Sequence, residues 1–455
     1  MKHRVIISLL CLYGFFKEFR PITPFLTPLL ISKEKGFTKE EIYEYVYPIW
    51  AYAHFIFSIP IVLFTDYLNF KPILVIESLS LIGTGILLTF GNTLRLIQMT
   101  QITYGCATAS EIAFMSYLYT KVDDKEIPFV TGLIRGVILL SKCMCTLFGQ
   151  ICISMKWTNL QFINQLTLIM SVLGLPFVVL AIIPGINCKK RNEEERFEEK
   201  ISLKEVKMNE RVRKNSLNLL ERFVYVKKNL SEFNTLFIWS IWWIITTSLI
   251  YQMYNYIQVH WTPLQENSGN IYNGLVEFIN TLLGAFVTLI FSRIRINWKK
   301  FTEQITIILS IFFSIFFWLL STIENIYGSY ILYILINVTY LFFIAVASTV
   351  LASIIDVNGI GLIFGIISLL SSLLQSLLGF LLINGNIWSF STKDQFSVYS
   401  IIFLFLSITF ILISFLKCII VKKHKDINGD IEINNDIKFR NINLDTIPEN
   451  VFEEL

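Results

Sequence analysis

The sequence is poor in charged residues, which make up 16% of its 455 positions, whereas apolar residues make up 54%. A soluble chain of this length carries a larger charged fraction, so the composition excludes a soluble globular protein and places most of the chain in lipid. A mean hydropathy of +0.60 agrees with this. The net charge of +4 is small and gives no indication of a nucleic-acid partner.

The sequence also lacks the motifs of several functional classes. Its seven cysteines include no CxxC pair and no Cys/His cluster, so neither a disulfide framework nor a metal site is indicated. It has no phosphate-binding glycine-rich loop and no nucleophile elbow, which argues against a primary pump and against a membrane-bound enzyme. We therefore expect no catalytic residue and no cofactor. No small-residue cleavage site follows the first apolar run, which predicts a retained first helix and not a signal peptide.

Apolar runs of about twenty residues recur along the chain, as a helix needs to cross a hydrocarbon core of roughly 30 Å. Twelve spans are predicted, at about 5–31, 44–65, 72–91, 95–120, 127–153, 162–184, 233–261, 271–291, 301–323, 328–355, 360–384 and 395–420. The runs are continuous and not alternating, which excludes a transmembrane β-barrel.

The basic residues are concentrated on one predicted side of the membrane. Most lie between the sixth and seventh spans, at 189–228, and smaller groups lie at 293–300 and 417–425. By the positive-inside rule, the central loop and both termini face the cytosol. The predicted organisation is a bundle at 1–187, a loop at 188–232, a bundle at 233–421 and a tail at 422–455. Two six-helix bundles around a charged loop are typical of the major facilitator superfamily, an all-α membrane fold.

Glu111 is an ionisable residue in the middle of the fourth span. A charge near the bilayer midplane costs at least about 2.5 kcal/mol, so it usually has a polar task. Tyr104, Thr108 and Phe114 lie on the same helical face, three or seven residues away. We interpret Glu111 as a substrate-facing residue. The alternative is a structural ion pair between helices, for example with Arg135.

Aromatic residues are enriched in the second and seventh spans. Flat faces such as that of Trp50 hold a planar cation by stacking and cation–π attraction, worth about 0.5–2 kcal/mol each. The alternative is a belt of aromatic side chains at the membrane interface. That alternative is favoured for Trp239 and Trp261, which lie near helix ends.

Two further features suggest a hinge and a gate that move during function. Prolines at 21, 24 and 28 interrupt the first span beside charged residues, which marks a cavity wall or a hinge. There, Arg20 is expected to pair with a carboxylate. Asp66 and Lys71 lie in the tight link after the second span and suit a gate latch.

Over nearly the whole membrane portion, the sequence resembles solute carrier family 19, the reduced folate and thiamine carriers. The matching residues are Tyr13-Gly-Phe, Arg20-Pro21, Pro24-Phe-Leu, Pro48-Ile-Trp50, Thr65-Asp-Tyr, Lys71-Pro72, Tyr104-Gly, Glu111-Ile-Ala, Tyr117, Arg135, Trp239-Ser-Ile-Trp-Trp243, Asn255-Tyr-Ile-Gln258, Trp261, Ile271-Tyr-Asn-Gly274, Phe364-Gly365, Gln395-Phe and Tyr399. The resemblance implies a transporter with a site between two bundles.

Within the family, charge separates the substrates. Folate carriers resemble one another in having basic residues at the positions of Glu111, Asn337 and Gln375, so this chain is more similar to the thiamine branch. A buried carboxylate without a matching cation suits a thiazolium cation and disfavours a dianion. Two positions depart from the thiamine pattern, because Thr23 and Gly85 stand where that branch typically has glutamate and tryptophan.

The sequence thus predicts a plasma-membrane importer of thiamine or a close heteroaromatic cation. The resemblance implies that Glu111 binds the aminopyrimidine end. The other expected substrate-binding residues are Trp50 and Phe114 as ring faces, Asn255 and Gln258 as hydrogen-bonding groups, and Tyr117, Thr23 and Tyr104. Arg20, Arg135, Asp66 and Lys71 are the expected gating residues. A folate carrier of the same family, or a non-transporting receptor or scaffold on the same fold, remain the alternatives.

Overall fold

The structure is a computed structural model that describes residues 2–64, 70–119, 127–182, 230–268, 271–291, 298–354, 360–383 and 390–440. All regular structure in these segments is helical, as predicted. The central loop and Asp66 lie outside the described residues.

The N-terminal half contains the first six predicted spans. Its helices are α1 (Lys2–Glu18), α2 (Leu26–Ile31), α3 (Tyr47–Phe64), α4 (Phe70–Phe90), α5 (Leu94–Tyr119), α6 (Ile127–Ser154) and α7 (Leu160–Ile182). A π-helical turn at Glu41–Val46 leads into α3. The observed ends lie within a few residues of the predicted ones.

The first span is broken, as its prolines predict. Helix α1 ends at Glu18, a short 3-10 turn covers Thr23–Phe25, and α2 follows. A proline has no N–H, so Pro24 and Pro28 each remove one bond of the helical ladder. Backbone groups between α1 and α2 are consequently left free to bond elsewhere.

The C-terminal half contains the other six spans. Its helices are α8 (Leu230–Ser268), α9 (Asn273–Phe291), α10 (Thr302–Thr322), α11 (Ile326–Ile354), α12 (Ile360–Ile383) and α13 (Thr392–Arg440). Helix α8 extends beyond its predicted span at both ends, and α13 continues about twenty residues past its predicted end.

Eight of the described helices are long and apolar enough to cross a membrane by themselves. They are α4, α6, α7, α8, α10, α11, α12 and α13. Helix α9 is apolar but shorter, and α1, α3 and α5 complete the twelve predicted spans.

Within each half the helices pack into a bundle, and the halves meet where α6 packs on α9 and α3 on α12. The core of the C-terminal bundle is strongly aromatic. Trp239 and Trp261 are buried there, and their indole N–H groups donate to Thr302 and Ser329. The expectation that these two tryptophans belong to an interfacial belt is therefore wrong. Position near a helix end did not indicate which face of the helix they occupy.

The described hydrogen bonds between the two bundles all lie in one half of the molecule, where α2, the start of α3 and the α8–α9 link are found. We call this the closed end. The chain enters α1 at the opposite end.

Candidate functional site

Glu111 lies in the second half of α5, and 53% of its side chain is exposed. Its described ionic partner is Lys17 of α1, with 3.7 Å between Nζ and Oε1. Arg135, the partner considered for a structural ion pair, is exposed on α6. Glu111 is thus not enclosed in a helix–helix ion pair with Arg135, and its carboxylate is accessible.

Lys17 is shared between two carboxylates. Its ammonium lies 2.7 Å from an oxygen of Glu77 on α4, and both side chains are only 3% exposed. The same ammonium lies over the ring of Phe114, 4.6 Å from the centroid. Lys17 therefore neutralises mainly the charge of Glu77, and most of the negative charge of Glu111 remains uncompensated.

Glu18 holds two other cations of the N-terminal bundle. Its Oε2 lies 3.1 Å from Arg20 and 3.4 Å from Lys142 of α6. Arg20 also lies 5.3 Å from the ring centroid of Tyr104. Arg20 pairs with a carboxylate as the sequence suggested, and that carboxylate is two residues away in the same broken span.

Aromatic rings form a column beside Glu111. The ring of Trp50 of α3 stacks with those of Tyr104 and His54, with centroid distances of 6.3 and 5.7 Å. Its indole N–H donates to Thr108 at 3.3 Å, and the same hydroxyl lies 3.1 Å from Nδ1 of His54. Thr108 precedes Glu111 by three residues, so the column and the carboxylate share one face of α5. Together they form a charged and aromatic wall.

A cavity of about 430 Å³ meets this wall at His54, whereas Glu111 and Trp50 are not among its lining residues, and the rest of its lining belongs to the C-terminal bundle. Its lining is aromatic and hydroxyl-bearing, with no acidic or basic residue except His54 among the described ones: His54, Trp243, Thr247, Tyr251, Tyr254, Tyr340, Leu341, Ile344, Phe364, Ser368, Ser371 and Ser372. The rings of Trp50 and Tyr251 lie 6.5 Å apart and connect the two sides. The volume lies in the range of small-molecule sites.

Thr247, Tyr251 and Tyr254 of α8 line the cavity, whereas the neighbouring Asn255 is not among its lining residues. Tyr254 donates to the side-chain oxygen of Asn337 on α11. The Nδ2 of Asn255 is buried and has no hydrogen-bond partner among the described residues. An unsatisfied buried donor costs about 1–3 kcal/mol, so a group that accepted a hydrogen bond from Asn255 would be stabilising.

Gln258, also on α8, is engaged in the closed end. Its Nε2 donates to the backbone oxygen of Thr23 at 2.9 Å, and its Oε1 accepts from the backbone N–H of Thr27 at 3.2 Å. These two groups would bond to each other in a regular helix. The glutamine side chain is thus inserted into the broken ladder between α1 and α2. In this conformation it joins the bundles and does not face the cavity.

Other predicted site residues take different positions. The ring of Phe114 is completely buried against Lys17 and Tyr13, so it supports the wall from behind and does not offer a free face to the cavity. The side chain of Thr23 is exposed. Asp66 lies outside the described residues, as does the side chain of Tyr117.

Three acidic or basic residues of this region were missed from the sequence. Glu77 lies in an apolar span just as Glu111 does, so the same rule applied to 72–91 would have found it. Lys17 was visible as a charge but its partner is sixty residues away. Glu277 of α9 accepts from Tyr333 at 2.6 Å, and among the described residues no cation lies within ion-pair distance of it.

Two six-helix bundles that enclose a polar and aromatic cavity are the architecture of a membrane transporter of the major facilitator fold. Solved structures agree on the fold. A POT family transporter in complex with a thioalcohol-conjugated peptide matches with a TM-score of 0.64 at 13% identity, over 90% of this chain and 96% of that one. A D-xylose–proton symporter matches with a TM-score of 0.59 at 11% identity, over 90% and 96%.

The chain belongs to the reduced folate carrier family, whose model matches residues 2–398. It is 34% identical to Folate transporter 1 of Caenorhabditis elegans, over 88% of this chain and 89% of that protein. It is 28% identical to Thiamine transporter 1 of Homo sapiens, over 89% and 88%. The family and the structural relatives are transporters and not enzymes. The relatives in sequence include proteins named as folate transporters and proteins named as thiamine transporters.

Proposed function

We propose that the protein imports thiamine, or a closely related heteroaromatic cation, across the plasma membrane by alternating access. The observation that carries this proposal is the accessible carboxylate of Glu111 beside the stacked ring of Trp50. A carboxylate and an aromatic face are the two groups that bind a flat organic cation most favourably.

The charges around the cavity support a cationic substrate. Lys17 is held by Glu77, and both Arg20 and Lys142 are held by Glu18. Glu111 shares only the more distant contact with Lys17. A dianion would have to take a cation from one of these pairs, and leaving the paired carboxylate without its cation is costly.

The substrate's heterocycle would lie against the column of Trp50, with its aminopyrimidine end donating to Glu111. Asn255, which does not line the cavity in this conformation, would supply a hydrogen bond from the other bundle through its unpartnered Nδ2 once it reaches the substrate. The uncharged, aromatic lining around Tyr251 and Tyr254 then accommodates the remainder of the molecule. Each bundle contributes contacts, as closure around a substrate requires.

The Lys/Arg distribution supports the proposed orientation. With both termini and the central loop in the cytosol, the closed end is extracellular. The conformation is then inward-facing, with the outer entrance sealed by bonds such as those of Gln258.

Folate is the second candidate substrate. The relative at 34% identity is a folate transporter, and Lys142 is 45% exposed although it is paired with Glu18. If an anionic substrate displaced Glu18 from Lys142 and Arg20, two cations would become available to it.

Uptake by cells that express the protein tests the proposal. Labelled thiamine, folate and pyridoxine are supplied separately, and surface protein is quantified in the same cells. We expect saturable thiamine uptake that excess unlabelled thiamine inhibits and folate does not. Saturable folate uptake without thiamine uptake would assign the second candidate. Uptake of none of them, with the protein at the surface, would favour a receptor or scaffold.

Variants of Glu111 connect the uptake to the site. We expect Glu111→Gln to lower thiamine uptake at least about tenfold, because a charge-assisted hydrogen bond contributes about 1.5–3 kcal/mol. Glu111→Asp, which keeps the charge, should retain part of the activity. Glu324→Gln is the matched control, since that carboxylate is 84% exposed and pairs with Lys393 far from the cavity. Normal uptake by Glu111→Gln would remove the physical support for a cationic substrate.

A further inference from the structure

The ammonium of Lys17 has two possible carboxylate partners, one of which the proposed function needs for substrate. It lies at hydrogen-bond distance from Glu77, at 2.7 Å, and about 1 Å beyond that distance from Glu111, at 3.7 Å. Lys17 and Glu77 are both almost fully buried, whereas Glu111 is more than half exposed. A small movement of one flexible side chain would therefore exchange one ion pair for the other.

The ion pair with Glu77 keeps the ammonium on the Glu77 side, and it is strong because little water competes for either group. The ammonium also lies 4.6 Å from the ring centroid of Phe114, but Phe114 is on the same helix as Glu111, so this contact does not favour one carboxylate over the other. The second oxygen of Glu77 has no hydrogen-bond partner among the described residues, so Lys17 is the principal group that satisfies this buried carboxylate.

We propose that Glu77 is a positioning residue that sets the charge of the substrate site. By holding the ammonium of Lys17, it leaves Glu111 as a carboxylate able to bind a cation. The three groups together carry a charge of −1, and without Glu77 they would carry none. This inference rests on the proposed function, because it concerns selection of a cationic substrate at Glu111.

The first test is Glu77→Gln, which keeps the size of the side chain and removes its charge. Lys17 then has Glu111 as its nearest anion and should move to it. We expect the half-saturation concentration for thiamine to rise about tenfold or more, as loss of a charge-assisted bond implies. The maximal rate per surface transporter should change much less. A purely structural role would instead lower the amount of protein at the surface without changing half-saturation.

The decisive test is the double variant Lys17→Gln/Glu77→Gln. It removes the competing ammonium together with its partner, and the two glutamines can bond to each other in the buried site. Glu111 is then free of any cation, so half-saturation should return to the wild-type value or below it. Glu77→Asp, which keeps the charge, is the matched control and should stay close to wild type.

The outcomes separate this inference from the proposed function. No thiamine uptake by the wild type defeats the proposed function itself. Normal half-saturation in Glu77→Gln, or a defect that Lys17→Gln does not rescue, overturns the role of Glu77 while the transport assignment stands. If Glu77→Gln fails to reach the surface, the double variant alone decides the question. If the double variant has a half-saturation concentration above that of the wild type, or is itself absent from the surface, then Lys17 and Glu77 form a purely structural ion pair and the proposal is overturned.

Discussion

Removing the side chain of Gln258 should open the closed end. In the structure this side chain makes two bonds to the broken first span, one to the oxygen of Thr23 and one to the N–H of Thr27. These bonds join the two bundles. In the proposed orientation, with the closed end extracellular, they belong to the inward-facing state and must break when the outer entrance opens. Gln258→Ala therefore destabilises the inward-facing state relative to the outward-facing one.

The magnitude follows from the number of bonds. At a net value of about 1 kcal/mol per hydrogen bond, losing two shifts the equilibrium by about 2 kcal/mol, or roughly thirtyfold in the ratio of the two states. The shift is smaller if water hydrates the two backbone groups as well as the glutamine did. Other cross-bundle bonds remain, such as that from Asn273 to the oxygen of Pro24. We therefore expect a change in population and not an unregulated pore.

Thiol labelling measures this population. A cysteine replaces Ser372, which lines the cavity, and intact cells are treated with a membrane-impermeant reagent. The rate of labelling should increase strongly in Gln258→Ala. Gln161→Ala is the matched control, because that glutamine also donates to a backbone oxygen, that of Thr89, but within the N-terminal bundle. Equal labelling rates in the two variants would refute the idea that Gln258 seals the closed end.

Three further predictions concern charge and topology. Glu111→Arg should not by itself produce folate uptake, because Asn337 and Gln375 are uncharged and leave much of the dianion uncompensated; labelled folate uptake tests this. Thr23→Glu should lower the half-saturation concentration for thiamine by about tenfold, since its side chain is exposed and a second carboxylate would strengthen cation binding unless Arg20 neutralises it. A cysteine at Ser202, in the central loop outside the described residues, should resist an impermeant thiol reagent in intact cells and react after permeabilisation; labelling in intact cells would contradict a cytosolic loop.

Much of the fold could be predicted because the length of each apolar run in the sequence indicates the length of the membrane helix that it forms. Helix α7, for instance, covers Leu160–Ile182, where the sixth span was predicted at 162–184. The break in the first span was also predictable, since a proline acts on its own local backbone. The extension of α13 to Arg440 was not, because polar residues beyond the membrane carry no hydropathy signal.

The site was predicted less completely, because charge pairing depends on neighbours that are distant in sequence. Glu111 and Trp50 could be selected from residue type and position in a span. The exchangeable position of Lys17 could not, since it depends on α1, α4 and α5 meeting at one point. Gln258 was expected to face the substrate, and only the packing of α8 against the broken span shows its contact with backbone groups.

Most of the bonds that seal the closed end join a side-chain donor of one bundle to a main-chain oxygen of the other. The donors come from both bundles: Gln258, Asn273 and Ser376 from the C-terminal one, and Tyr43 and Gln150 from the N-terminal one. Asn273 donates to the oxygen of Pro24, and Gln258 to that of Thr23. Every residue type carries that oxygen, so the accepting positions can vary during evolution without loss of the seal, provided the backbone stays broken. The donors have no such freedom. Second-site suppressors of a lost donor should consequently appear as new polar residues on the elements that carry donors, and not as changes of side chain at the acceptor.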